Sequence, residues 1–310
     1  MISVVINFLN AEPFLQESID SVFAQTDARW ELLLVDDGST DASSAIARRC
    51  AEQHPSRVRY LEHAGHRNLG TSASRNLGLR AARGEYAICL DADDVLLPTA
   101  LAEQRALLEA HPRAAMVYGP IEWWRSWTGD PADLGRDRVQ SLGVPPDALV
   151  EPPELLVRFL RRTAAAPSGM LVRRAAVARV GAYEDDFRAL YDDQVFCAKV
   201  CLTEPVYAAS RCWYRYRRHG GSITATADAS RLDEAGRLPF LTWLEGYLAS
   251  RGVTRGPAWD AVRRELWLVR HPAVHRIVKR ARRARRRVWH RWERLVRRLL
   301  ATAGPADEAR

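Results

Sequence analysis

Two short apolar runs in this chain each break off into a cluster of carboxylates, and few folds can place such a pattern. Glu31-Leu32-Leu33-Leu34-Val35 runs into Asp36-Asp37-Gly38-Ser39-Thr40-Asp41, and Tyr86-Ala87-Ile88-Cys89-Leu90 runs into Asp91-Ala92-Asp93-Asp94. A short apolar run bounded by turn residues reads as a strand buried on both faces, as in parallel sheets covered by helices. Acids at its end put negative charge at the carboxyl edge of the sheet, where open α/β sheets bind their ligands. Carboxylates this close stay ionised together only beside a cation or hydrogen-bond donors. A metal ion and a nucleotide are therefore the first ligands to consider.

The rest of the chain extends the same rhythm. Ile2–Ile6 is a β-branched strand, and residues 11–24 carry apolar side chains at helical spacing with Pro13 in the first turn. The Gly-Ser-Thr-Asp turn after Asp37 can cap a helix that begins near Ser43. A third strand is expected at 57–61, a helix at 71–82 stopped by Arg83-Gly84, and a fourth strand at 85–90. This alternation predicts an α/β fold with a mostly parallel sheet flanked by helices. A helix at 99–110 and a strand at 115–118 continue it. Between Ile121 and Pro153 Gly, Pro and Asp mix with Trp123, Trp124 and Trp127, and no regular element is expected. Helices at 154–162, 174–180, 192–202 and 231–250 follow, with a strand at 168–172 and a helix stop at Gly252.

At 310 residues and 47% hydrophobic content the chain is globular and large enough for a full core. No apolar run approaches the ~18 residues of a bilayer span. The N-terminus reads as a strand start, not a signal peptide, since Glu12 and Pro13 come early and no basic region precedes them. The five cysteines, at 50, 89, 197, 201 and 212, fit reduced thiols of a cytoplasmic protein. The net charge of +8 is unevenly placed. Between Arg270 and Leu300 thirteen Arg and Lys residues face one acid, Glu293, so the remainder of the chain is net acidic.

Each acidic or basic constellation has a plain reading and a chemical one. Asp91-x-Asp93 can share a divalent ion whose open positions take diphosphate oxygens, or can cap a turn. Asp36-Asp37 can accept from a nucleobase or ribose, or can close a strand-to-helix turn. Arg75-Asn76 is either a solvated helix face or an Arg fork set against base or phosphate. Asp192-Asp193 suits a helix N-terminus, and equally a general base. Arg215, Arg217, Arg218, His219 and Ser222 form a basic loop softened by Gly220 and Gly221, suited to phosphate.

Their order along the chain narrows these choices. Val4-Val5-Ile6 with Asn10-Ala11-Glu12, Asp36 to Asp41, Asn68-x-Gly70 with Arg75-Asn76-x-Gly78, Arg83-Gly84-Glu85 with Asp91-Ala92-Asp93-Asp94, Gly181 with Asp192-Asp193, and Tyr216 to Ser222 occur in succession. This succession, over residues 2 to 225, closely resembles glycosyltransferase family 2. The resemblance implies a Rossmann-like GT-A fold, a nucleoside-diphosphate sugar donor (a UDP-sugar favoured), a divalent metal such as Mn²⁺ or Mg²⁺, and inversion at the anomeric carbon. Asn10, Asp37 or Asp36, Arg75 and Asp91 would bind the donor, with Arg217 and His219 covering the diphosphate. Asp93 would hold the metal with Asp91 beside it and His219 as a further ligand. Asp193 matches the family's catalytic base. Asp192 stands where the family has Glu, which leaves both acids as candidates. The division implied is a catalytic domain at 1–225, with a nucleotide-sugar half to about 115 and an acceptor half from 116. A C-terminal helical extension would occupy 226–310.

Asn7 and Leu9 replace the family's usual Pro and Tyr in the first strand. The Gln-x-x-Arg-Trp motif of processive synthases is absent, so single-sugar transfer is expected. A sugar nucleotidyltransferase or dinucleotide dehydrogenase would need a Gly-rich loop where the chain has Asn7-Phe8-Leu9-Asn10-Ala11-Glu12. A non-enzymatic nucleic-acid or membrane-binding protein would rest on the tail alone and leave the acidic body unexplained, so no nucleic-acid partner is expected. Residues 271–300 read as a basic amphipathic helix. It fits either the anionic inner face of a membrane, where a lipid-linked glycan acceptor would lie, or the catalytic domain itself.

Overall fold

The computed structural model describes residues 1–188, 190–222, 232–274 and 277–278. Residues 1–262 form one compact unit and residues 263–310 a second. The first unit opens with β1 (Ile2–Phe8), α1 (Glu12–Phe23), β2 (Trp30–Asp36), α2 (Ser43–Gln53), β3 (Val58–Glu62), α3 (Thr71–Ala81) and β4 (Tyr86–Asp91). It continues through β5 (Val95–Leu96), α4 (Ala100–Ala110), β6 (Met116–Tyr118), β7 (Ile121–Trp124), β8 (Arg138–Val139), β9 (Ala148–Val150) and α5 (Glu154–Leu160). Then come β10 (Leu171–Arg173), α6 (Arg174–Val180), α7 (Asp192–Thr203), β11 (Val206–Ala208), β12 (Tyr214–Arg217) and α8 (Leu232–Ser250). A last helix, α9 (Pro257–Arg270), crosses the boundary. The basic stretch expected at 271–300 lies almost entirely outside the described residues. Among the described residues no helix is long and apolar enough to cross a membrane.

The main sheet has the strand order β3-β2-β1-β4-β10-β6-β11-β9. β1, β2, β3 and β4 are mutually parallel, whereas β10 runs antiparallel to both its neighbours. β1 is covered on both faces. Ile2, Val4, Ile6 and Phe8 enter the large core, while Val5 joins Leu33, Val35 and Ala82 in a second cluster on the opposite face. The chain enters the sheet at β1, adds β2 and β3 on one side, then crosses to β4 on the other. The carboxyl ends of β1 and β4 therefore flank the point where such sheets open a crevice. Both acidic clusters of the sequence lie at this edge.

A second sheet, β5-β12-β7-β8, stands beyond β4. The sequence reading placed β7 and β8 in an irregular stretch and β12 in a basic loop. Strands of two to four residues whose outward side chains are Trp, Arg and Tyr carry no readable period, and pairing creates them. All five cysteines are free, and α8 buries Phe240, Leu241, Leu244 and Leu248 in the first unit. Gly252, at φ +75°, ends α8 as expected.

α3 is held against β1 closely enough that Gly78 has no room for a side chain. A Cβ there would sit 2.3 Å from Val5 Cγ1 and 3.2 Å from Val35 Cγ2. Gly→Ala in an open helix gains about 1 kcal/mol. Gly78→Ala should instead lose about 1–3 kcal/mol through overpacking, read as a lowered urea midpoint at unchanged slope.

Candidate active site

The carboxyl edge opens into a cleft of about 620 Å³. Its walls come from the β1–α1 turn, Asp37, the 68–71 turn and Arg75, then Asp91 to Asp93, residues 167–170, Asp192 and Asp193, and the strand-end residues Tyr214, Tyr216 and His219. Most of the sequence-predicted residues meet here, but their surroundings differ sharply.

Asp36 is not in the cleft. It is fully buried, and Oδ1 accepts from the Gly38 and Ser39 amides at 3.1 and 2.8 Å. Oδ2 accepts from the Tyr60 hydroxyl at 2.9 Å and from Ser44 Oγ. The expectation that Asp36 binds donor is corrected: every lone-pair direction already serves the turn, α2 and Tyr60 of β3. Asp37 does line the cleft, where it accepts from the Leu69 amide at 2.8 Å and from the Gly70 amide at 3.0 Å. It thereby shapes the turn that begins α3. Asn10, at φ +51°, accepts from the Thr40 amide at 2.8 Å and ties two rim turns together.

Arg75 occupies the middle of the site. It is 7% exposed, and each terminal nitrogen meets a different acid. Nη2 lies 2.5 Å from Asp91 Oδ1, Nη1 donates to Asp192 Oδ2, and Nε donates to Asn7 Oδ1 at 3.3 Å. In addition to the expected place beside the donor, where it lines the cleft, the fork joins the end of β4 to the start of α7. The Asn7 that departs from the family's Pro supplies one of its acceptors. Asn76, next in sequence, exchanges two hydrogen bonds of 2.9 Å with the Tyr183 backbone.

The second acidic cluster divides three ways. Asp91 is the ion-pair partner of Arg75. Asp93 Oδ2 lies 2.9 Å from His219 Nε2, and both side chains are partly open to the cleft. Asp94 is wholly buried, where it accepts from the Tyr214 hydroxyl at 2.6 Å and the Arg217 amide at 2.7 Å. Burial, with Asp93 and Asp91 nearby, pushes its carboxyl well above the ordinary range. Asp94 and Tyr214 were not singled out as site residues. The only signal for them was a third Asp directly after the D-x-D pair.

Arg217 is also corrected. Its guanidinium turns inward, with Nε donating to the Asp93 carbonyl at 2.7 Å and Nη2 lying 2.5 Å from Glu17 Oε2. At 2% exposure it steadies Asp93 and does not face the cleft. Nor do Asp91, Asp93 and His219 form a three-residue metal cage: among the described residues no three His, Cys, Asp or Glu side chains gather to hold a metal. What remains is the carboxylate–imidazole pair of Asp93 and His219. Such a pair fits a divalent ion that draws its remaining ligands from water and phosphate oxygens.

Across the cleft, α7 begins with both acids in its first turn, after Tyr191 in the left-handed region at φ +66°. Asp192 pairs with Arg75, and burial pushes its carboxyl up to about 7 against the pull of Arg75. Asp193 lines the cleft and accepts the Gln194 amide at 2.7 Å. Burial raises its pKa too, with Arg75 opposing.

Residues 3–137 match the model for glycosyl transferase family 2. The chain is 32% identical over 249 residues to the uncharacterized protein y4gI of Sinorhizobium fredii, covering 76% of this chain and 24% of that one. It is 37% identical over 116 residues to the putative glycosyltransferase EpsE of Bacillus subtilis, covering 37% and 41%. The chain thus spans less than half the length of these relatives. Among solved structures, S. aureus TarS 1-349 in complex with UDP-GlcNAc superposes with TM-score 0.61 at 18% identity, covering 79% of this chain and 65% of that one. The mannosyltransferase PcManGT of Pyrobaculum calidifontis, in complex with GDP-Man and Mn²⁺, gives TM-score 0.54 at 20% identity and covers 86% and 69%. At these identities the likeness is one of fold, and the fold is GT-A.

Asp36→Asn separates the structural role of this acid from ligand binding. The buried carboxylate feels burial first, which raises its pKa, but donors from Ser44, Ser39 and Tyr60 outweigh this and hold it below the usual range. A depressed pKa contributes stability that is present above about pH 4 and lost as the pH falls through the folded-state value. The variant should lose about 1–3 kcal/mol at pH 7, and its deficit should shrink in acid. Urea unfolding at pH 7 and pH 3 measures both.

Proposed function

We propose that this chain, which belongs to glycosyltransferase family 2, moves one sugar from a nucleoside-diphosphate sugar to an acceptor hydroxyl in glycan biosynthesis, with inversion at the anomeric carbon. One observation carries the reading: a single cleft holds the Asp93–His219 pair, the Asp192–Asp193 pair, and Arg75 linked to both the β4 edge and α7. The nucleoside end of the donor fits beside Asp37 and the 68–70 turn, with Asn10 at the rim and Asp91 toward ribose and phosphate. The similar proteins support the donor class, since TarS carries UDP-GlcNAc and PcManGT carries GDP-Man, and a UDP-sugar is the donor proposed.

In this reading the halves divide the work. Residues up to about 115 hold the donor, and residues 116–225 bring the acceptor and the base. Asp193 accepts the proton of the acceptor hydroxyl as that oxygen attacks the anomeric carbon in line, and the nucleoside diphosphate leaves from the opposite face. One displacement gives one inversion. Asp192 is committed to Arg75 and keeps the guanidinium beside the reacting centre. Asp93 and His219 would hold Mn²⁺ or Mg²⁺, which when bound would supply positive charge against that building on the departing diphosphate. The acceptor is a glycan hydroxyl. A lipid-linked acceptor at a membrane surface is the form that would employ the basic stretch at 271–300.

Asp193→Asn should lower kcat by about 10²–10⁴-fold while donor affinity, read by calorimetry, stays within a few-fold of the parent. Full activity in that variant would end the assignment. Because burial raises the Asp193 pKa, the base is protonated at low pH. The acid limb of log kcat/KM should therefore rise with an apparent pKa above the usual ~3.9 of aspartate. Titration of UDP and GDP with and without Mn²⁺ tests the cation. The parent should bind its nucleotide more tightly with Mn²⁺, and Asp93→Ala should lose that difference.

A further inference from the structure

Among the described residues two arginines line the cleft, Arg75 and Arg188. Arg75 is met by two acids. Arg188 is exposed, and among the described residues no acid pairs with it. Its Nη2 donates to the Asn68 carbonyl at 2.9 Å and to Asn68 Oδ1 at 3.1 Å. Its Nε and Nη1 meet no acceptor among the described residues. The backbone is held as firmly as Nη2. The Thr71 amide donates to the Arg188 carbonyl at 2.8 Å, and a Cβ on Gly70, at φ +95°, would lie 2.7 Å from the Arg188 Cβ.

Arg188 is thus pressed against the turn that opens α3, the same turn whose Leu69 and Gly70 amides donate to Asp37. Thr71 and Arg75 stand one helical turn apart, about 6 Å along α3. Arg188 therefore marks the Asp37 side of the site and Arg75 the Asp91 side. In the transferase reading the Asp37 side holds the nucleoside. Leu9 lies there too, directly after Phe8, whose carbonyl accepts from the Asp37 amide at 2.9 Å. It lines the cleft and is 43% exposed, so it offers a base an apolar face and no polar atom. Asp37 is 4% exposed, with its carboxylate engaged by the two turn amides. Polar selection among bases then falls to Arg188.

We propose that Arg188 selects the nucleobase of the donor, favouring a carbonyl oxygen over an exocyclic amine at pyrimidine C4 or purine C6. A guanidinium carries N–H donors and no acceptor. Uracil, thymine and guanine present an oxygen at this position, whereas cytosine and adenine present an amine. The open Nε and Nη1 donors suit the oxygen, and against the amine they set N–H against N–H. Because Nη2 is pinned on Asn68, these donors are in place before the nucleotide arrives. The inference rests on the transferase reading, and it adds a residue that sets donor specificity.

Calorimetric titration of the full chain with Mn²⁺ compares UDP with CDP and GDP with ADP, each pair exchanging the carbonyl for an amine. The parent should bind the carbonyl member of its preferred pair at least about five-fold more tightly. Arg188→Met, which keeps the length of the side chain without its donors, should erase that ratio by weakening the carbonyl nucleotide alone. Arg188→Lys, which keeps a donor, should retain part of it. The side chain is exposed, so both variants should melt near the parent. The matching nucleoside, uridine or guanosine, should weaken by the same factor as its diphosphate. A parental ratio in Arg188→Met would overturn the proposal, and equal weakening of all four nucleotides would do the same by reducing Arg188 to a support for the 68–71 turn. A loss confined to the diphosphates, with nucleoside binding unchanged, would assign Arg188 to phosphate and contradict it as well. So would a parent that binds neither carbonyl nucleotide better than its amine counterpart. Failure of the parent to bind any of the four would instead overturn the transferase reading.

Discussion

The site is organised by one buried guanidinium. Arg75 sits on α3, against the cleft, and spends its donors on Asn7 at the end of β1, Asp91 at the end of β4 and Asp192 at the start of α7. Two of these lie in the parallel half of the main sheet, whereas Asp192 lies 117 residues beyond Arg75 in sequence. Arg is suited to this because its planar fork serves two carboxylates at fixed angles, which a Lys point charge cannot do. The first turns of α3 reinforce the link: the Thr71 amide and Ser72 hydroxyl donate to the Arg188 and Phe187 carbonyls at 2.8 and 2.6 Å, and Asn76 grips Tyr183. α3 therefore ties the carboxyl edge of the sheet to the 183–192 segment across the cleft.

Around that centre the same residue type takes on distinct roles through its environment alone. Asp36 closes a turn and Asp94 carries β12 beneath the cleft. Asp91 and Asp192 balance Arg75, while Asp93 and Asp193, which also line the cleft, lie outside that ion-pair pairing. The arrangement follows a simple electrostatic logic. A buried carboxylate with several donors is a structural acceptor, whereas one with few donors has an affinity for protons or cations left over. Arg217 applies the same logic in reverse, since a cation enclosed by Trp124, Trp127, Phe14 and Glu17 stabilises structure rather than ligand.

Much of this was legible in the sequence. The apolar runs of β1, β2 and β4 announced a parallel sheet because strands buried on both faces need no alternation. The acids at their ends announced the edge. The alternation from β1 to β4 was read correctly for that reason. What escaped was whatever depends on contacts made across the chain. Nothing local distinguishes Asp36 from Asp37, since the difference is whether Tyr60 and Ser44 reach the carboxylate. Nothing local says that Arg217 turns inward until Tyr214–Arg217 is known to pair with Ile121–Trp124 as a strand. The bridge from Arg75 to Asp192 lies equally beyond any periodicity, although both residues were recognised by type.

The central claim, that one buried arginine couples the end of β4 to the start of α7, is open to a double-mutant cycle. Arg75→Met, Asp192→Leu and the double variant are unfolded in urea at pH 7. Each single change leaves a buried charge without its partner, a loss of about 3–5 kcal/mol. The double change removes both charges together. The account predicts a double variant less destabilised than the sum of the singles, with a coupling energy of about 1–3 kcal/mol. Additivity to within about 0.5 kcal/mol would contradict it, because the two side chains would then act independently.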